Sequence, residues 1–150
     1  MKPVKRVTAI LLPLLFMLIS CGTMTASFDQ YAYAQTTAAK VEAMDLISHA
    51  TQNVSGFTTQ IRDVDLKLKK IYEYEKNRPK NDITVKMWQL LLDPEKRLYG
   101  GFIKRWQTDS TLSKAFVEEA SMLIGSGFDK VAELESKKIP RNDDAIKSFQ

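Results

Sequence analysis

Ile47-Ser48-His49-Ala50-Thr51-Gln52-Asn53-Val54-Ser55-Gly56-Phe57-Thr58-Thr59-Gln60-Ile61-Arg62-Asp63-Val64-Asp65-Leu66-Lys67-Leu68-Lys69-Lys70-Ile71 is the stretch on which the fold turns. Ile47, Ala50, Val54, Phe57, Ile61, Val64, Leu68 and Ile71 recur at alternating spacings of three and four. A strand repeats every two residues, so this pattern predicts a helix with an a/d heptad seam. From Phe28 to Asn77 there is no proline and one glycine, Gly56. Asn53-Val54-Ser55-Gly56 is the weak point of that run, where poor helix formers admit a kink or a break. Read as one rod at 1.5 Å per residue, 28–77 would be about 75 Å long. Phe28, Tyr31, Ala32, Ala39 and Ala43 extend a looser apolar face upstream, with Lys40 falling at a seam position.

Beyond the seam, Asn77-Arg78-Pro79-Lys80-Asn81-Asp82 is a breaker. Pro79 disfavours helix at Arg78, and Asn81 or Asp82 can cap the next helix. Ile83 to Leu92 carries Met87, Trp88, Leu91 and Leu92. Asp93-Pro94 then reads as the start of a short helix to about Gln107, with Leu98, Phe102, Ile103 and Trp106. Gly100-Gly101 either lets another backbone approach or loosens the turn. After Thr108–Thr111, the segment from Leu112 to Lys138 places Phe116, Ala120, Leu123, Val131 and Leu134 on one face, and Gly125-Ser126-Gly127 can interrupt it.

The expected fold is all-α: a long helical hairpin or small bundle with a coiled-coil-like seam and two short helices at the bend. Its core domain is 28–138, followed by a polar tail at 139–150. The return helix is shorter than the first, which predicts that part of the seam stays open. A monomer or weak homodimer is the expected state, because tethered segments meet at high effective concentration.

The cellular address is written earlier. Lys2, Lys5 and Arg6 precede the apolar run Val7–Ile19, and Ser20-Cys21-Gly22 follow. A basic start, 7–15 apolar residues and small residues at the end describe a secretory signal. The run contains Pro13 and falls short of the ~20 residues of a spanning helix. Leu18-Ile19-Ser20-Cys21 resembles the lipobox of bacterial lipoproteins, and Cys21 is the only cysteine of the chain. That resemblance covers the signal only. It implies cleavage after residue 20, acylation of Cys21, a short tether over 21–27 and membrane attachment through lipid. More than one acyl chain gives stable anchoring. By the same resemblance, Gly22 rather than Asp after the cysteine implies the outer membrane facing the periplasm where the host has one.

Residues 1–20 carry three of the 22 basic groups and none of the 18 acids, leaving 19 against 18 in the rest. Bulk electrostatics therefore gives no support to nucleic-acid binding. One histidine and one cysteine exclude His-pair zinc sites and disulfide frameworks. His49 falls at an exposed heptad position with no partner implied. Asp63/Asp65, Glu118-Glu119 and Glu133/Glu135 are too close in sequence to face one another on a helix. No phosphate loop, dinucleotide fingerprint or Gly-x-Ser-x-Gly elbow occurs. Neither a catalytic set, a metal site nor a cofactor is expected.

Tyr72, Tyr74 and Arg78, at the bend, belong to residue types enriched in interface hot spots. They read equally as a partner surface or as a solvated helix end, and on an upright first helix they lie farthest from the lipid. Trp88 and Trp106 fit a bundle core better than an interface. The function classes left are a non-catalytic envelope interaction or structural module, an exclusion or immunity-type lipoprotein that blocks an envelope protein, and a ligand carrier or enzyme with a site between helices. The first agrees best with the seam and the neutral charge; an envelope protein is its expected partner.

Overall fold

In the computed structural model, which describes residues 26–137, the heptad stripe folds back on itself instead of running straight. The segment expected to be a signal, Cys21 and the polar tail expected at 139–150 lie outside the described residues. Five α-helices and one 3-10 turn make up the fold, with no strand among the described residues. They are α1 (Gln30–Ser48), α2 (Thr58–Lys76), α3 (Asp82–Leu92), α4 (Tyr99–Asp109) and α5 (Lys114–Lys137). The 3-10 turn Val54–Phe57 separates α1 from α2.

The predicted 75 Å rod is thus two helices of 19 residues each, packed on one another. The break has a local cause. Thr51, Asn53, Val54, Ser55 and Gly56 are all weak helix formers, and the Asn53 side chain accepts from the Ser55 N–H at 3.0 Å, offering the backbone an alternative partner. Spacing concealed this because the turn keeps apolar residues on the inside: Ala50 is fully buried, and Val54 and Phe57 pack against the core. A three/four rhythm therefore runs through a segment that is not α-helical.

Helices α1, α2, α3 and α5 pack in a closed ring, each touching two of the others. α5 runs antiparallel to α1: the Leu112 N–H bonds the Ala50 carbonyl at one end, and the Asp29 N–H bonds Glu135 at the other. α2 is also antiparallel to α1, with Gln60 reaching Asp45 and Tyr74 reaching Asp29. Since α1 is only 19 residues long, the 24-residue α5 covers it from end to end. The expectation of an open seam is overturned: Ile47, Ile61, Val64, Leu68 and Ile71 are all buried.

Helix α5 passes through Gly125-Ser126-Gly127 without interruption. Packing against α1 outweighs the roughly 1 kcal/mol helix penalty of each glycine. Its buried face is Val117, Ala120, Ile124, Phe128 and Val131. Leu123, expected inside, is exposed, and Ile124 takes its place.

The second short helix starts later than expected, at Tyr99 rather than Pro94. Asp93 does cap, accepting from the Glu95 N–H at 2.9 Å, but it closes only a turn. The glycine pair explains why that turn is so tight. A Cβ on Gly100 would lie 2.1 Å from the Leu92 carbonyl oxygen, and one on Gly101 1.8 Å from that of Lys96. Close backbone approach, the first of the two readings, is the one realised. α4 packs on α3 and closes the end where α1 turns into α2, with Trp106 against Phe57. Trp88 and Trp106 are both fully buried in the core, Trp88 edge-on to Phe128.

Candidate functional site

Two ends of the bundle carry most of its organised polar and aromatic chemistry. At the first, the chain arrives at Ala26, whose N–H bonds the Lys80 carbonyl at 2.9 Å. Lys80 turns the chain with φ of 60°, in the loop that Pro79 opens. Arg78 follows the α2 C-terminus and points inward. Its Nη1 donates to Glu75 Oε2 and to Glu135 Oε2, both at 2.8 Å; its Nη2 donates to Glu135 Oε1 at 3.0 Å and to the Ser27 carbonyl at 2.6 Å. Asp29 adds an ion pair at 3.8 Å. Asn81 Nδ2 donates to Glu75 Oε2 at 2.5 Å and to the Glu75 carbonyl at 2.9 Å. One guanidinium thus joins the incoming strand of chain, the end of α2 and the end of α5.

Burial pushes the Glu75 carboxyl above its ordinary range, against the opposing pull of Arg78 and Asn81. Burial also works against the Arg78 charge, but bonds to Glu135 and Glu75 win and hold it protonated. The Tyr74 hydroxyl donates to Asp29 at 2.6 Å and, with the Ala32 N–H, lowers the Asp29 carboxyl; the same bond raises the Tyr74 hydroxyl.

Of the residues singled out in the sequence, Tyr74 and Arg78 meet here. Tyr72 does not: it packs against the core, and its hydroxyl accepts from Gln89 on α3. Arg78 spends its donors inside the chain. The position of this group is the reverse of the expected one. Because the first helix folds in two, residues 74–81 return to Ser27 and Asp29, beside the incoming chain. Sequence reasoning missed Asp29, Glu75, Asn81 and Glu135. Two of them left a signal: Glu75 continues the stripe Ile61, Val64, Leu68, Ile71, and Glu135 continues Ile124, Phe128, Val131. A carboxylate on an apolar stripe is a buried carboxylate, and a buried carboxylate requires a partner.

The opposite end holds a cleft of about 340 Å³ between α4, the turn before it and the first half of α5. Lys96, Arg97 and Arg105 line it with one carboxylate, Glu119, over a floor that includes Phe102, Phe116 and Leu123. Arg105 lies over the Phe116 ring at 4.2 Å, and Phe116 stacks on Phe102 at 6.0 Å. Arg97 pairs with Glu119 at 3.3 Å on the surface. Such a surface can take an anionic group beside an apolar one.

Elsewhere the polar groups serve the fold. His49 stacks on Phe57 at 5.1 Å and lies half-buried at the α1–α2 turn, not fully exposed as the heptad reading expected. Asp65 accepts from the Tyr99 hydroxyl at 2.8 Å; burial, followed by the Asp65 charge, raises that hydroxyl far above its ordinary value. Among the described residues no group of His, Cys, Asp and Glu is arranged to hold a metal ion, and no helix is long and apolar enough to cross a membrane. Neither family models, curated proteins nor solved structures give a match to this chain.

Proposed function

We propose that the chain is a lipid-anchored, non-catalytic interaction module of a bacterial cell envelope, held at Cys21 and presenting the α4–α5 end to a partner protein. The polarity of the bundle carries this reading. Residues 26–29, which follow Cys21 closely, are fastened at one end by Arg78 and Lys80. The α5 wall of the cleft, from Phe116 to Leu123, lies 12–19 residues before Glu135, roughly 18–28 Å along the helix. Residues 26–29 and the cleft are therefore at opposite ends of the bundle, which supports an anchor at one end and a partner at the other. Lys96, Arg97 and Arg105 suit an acidic partner segment that competes with the surface pairs Arg97–Glu119 and Arg105–Asp109, and the Phe102/Phe116 floor suits an apolar residue next to it. The buried ionisable groups favour a structural role over catalysis, since Arg78, Glu75 and Glu135 are saturated by one another. Gly22 supports the outer membrane as the place of attachment.

Crosslinking and pull-down of the full chain from its native envelope tests both parts. Labelled palmitate is expected in the wild type and not in Cys21→Ser. A crosslinked acidic partner is expected whose yield falls in the double variant Arg97→Glu/Arg105→Glu. Absence of label from the wild type overturns the anchor; an unchanged crosslink in the charge-reversed variant overturns the cleft.

A further inference from the structure

We infer that Phe28, Tyr31, Tyr33 and Tyr74 form a collar that seats the bundle on the bilayer holding Cys21, an inference that rests on the lipid attachment proposed above. Large exposed apolar side chains among the described residues number eight, and the aromatic ones are these four: Phe28 at 40%, Tyr31 at 55%, Tyr33 at 36% and Tyr74 at 37%. All four lie at the end where the chain arrives: Phe28 just before α1, Tyr31 and Tyr33 in its first turn, and Tyr74 in the last turn of α2. They fall in two pairs: Tyr31 meets Tyr74 edge-on at 4.9 Å, and Phe28 lies 6.3 Å from Tyr33. The remaining four, Val41, Leu66, Met122 and Leu123, are aliphatic and lie on three different helices along the bundle.

Tyrosine suits a headgroup layer because its ring is apolar and its tip is polar, and tyrosine concentrates at membrane–water interfaces. Tyr74 is held in place by its hydroxyl bond to Asp29 and stays 37% exposed beside Tyr31. The distance available selects the occupant. Four residues lie between Cys21 and Ala26, so five Cα–Cα steps span at most about 18 Å of extended chain. The Ala26–Lys80 bond ends the slack there. A second bundle, two helix diameters or ~20 Å thick, does not fit between this end and the membrane. A lipid surface does.

The test uses the full acylated protein in phosphatidylethanolamine/phosphatidylglycerol vesicles containing lipids brominated just below the headgroup. Tyr31→Trp puts a probe in the collar; Met122→Trp puts one at a site 71% exposed on the far half of α5. Trp88 and Trp106 are fully buried and give both variants the same background. Bromolipid is expected to quench Tyr31→Trp several-fold more than Met122→Trp. Equal quenching in protein that carries labelled palmitate and floats with vesicles overturns the collar and leaves the anchor standing. Protein that neither takes up label nor floats, behaving like Cys21→Ser, overturns the anchor and the collar with it.

Discussion

Around Arg78, Glu75, Glu135, Asp29 and the Ser27 carbonyl converge on a single guanidinium, and three remote segments of chain are joined by charge. Around Trp106 the same task, closing an end of the bundle, falls to rings and backbone. Trp106 packs on Phe57 at 5.3 Å, Phe57 on His49, and the indole N–H bonds the Gln52 carbonyl at 3.0 Å. The Val54 and Leu112 N–H groups bond the carbonyls of Ser110 and Ala50, both at 2.9 Å, so the α1–α2 turn and the α4–α5 turn hold each other. The two ends differ in what they contribute. Burying a large ring removes apolar surface from water at about 25 cal/mol per Å². Burying an ion cluster spends most of its Coulombic gain on desolvation. The aromatic end stabilises; the charged end fixes which segment lies where.

Trp106→Ala is the largest blow to that contrast. It empties a fully buried site and strands the Gln52 carbonyl, and should cost about 3–5 kcal/mol in urea unfolding. A loss below about 1 kcal/mol would mean that the aromatic end does not carry the stability assigned to it.

Arg78→Ala comes next, at about 3 kcal/mol, because it leaves Glu75 and Glu135 buried without their cation. The sharper measurement is the triple variant Glu75→Leu/Arg78→Met/Glu135→Leu. If the cluster gives placement rather than stability, its midpoint should return to within about 1 kcal/mol of the wild type, or above it. A triple variant as unstable as Arg78→Ala would show the ions to be net stabilising.

The smallest effect is one of pH. Burial raises the Glu75 carboxyl, so its contribution is full below its unfolded value near 4.5 and is lost as pH rises through the higher folded value. Asp29 has the opposite sign: lowered by Tyr74 and the Ala32 N–H, it contributes above 3.8 and loses that contribution as pH falls through its folded value. Glu75→Gln should therefore gain on the wild type as pH is raised from 4.5 to 7, and Asp29→Asn should not. Parallel stability curves for Glu75→Gln and wild type would break the assignment.

The helical class, the breaker at 77–82 and the antiparallel return of the last helix were legible because each rests on local chemistry or on one long apolar period. The turn at 49–57 was only half legible: its weak helix formers were visible, but Ala50, Val54 and Phe57 kept the rhythm and favoured a straight rod. Everything downstream of that choice moved with it, including which end Tyr74 and Arg78 occupy and whether the seam stays open. The interruption at Gly125–Gly127 was a local expectation that long-range packing on α1 overrode. The Arg78 cluster was hidden because its members are far apart in sequence, Asp29 and Glu135 by 106 residues. Only Glu75 and Glu135, as charges on apolar stripes, marked it.

The closed four-helix ring has a mechanical consequence. α1 begins and α5 ends at the same end of the bundle, joined there by the bond from Asp29 to Glu135. A pull between residues 26 and 137 therefore peels α1 from α5 turn by turn, breaking few contacts at once, and the Asp29–Glu135 link is the first to bear the load. A pull between residue 26 and the α4 end runs along the helix axes and loads the whole α1–α5 contact in shear. The same interface is weak in the first direction and strong in the second, so its resistance to force depends on where the force is applied.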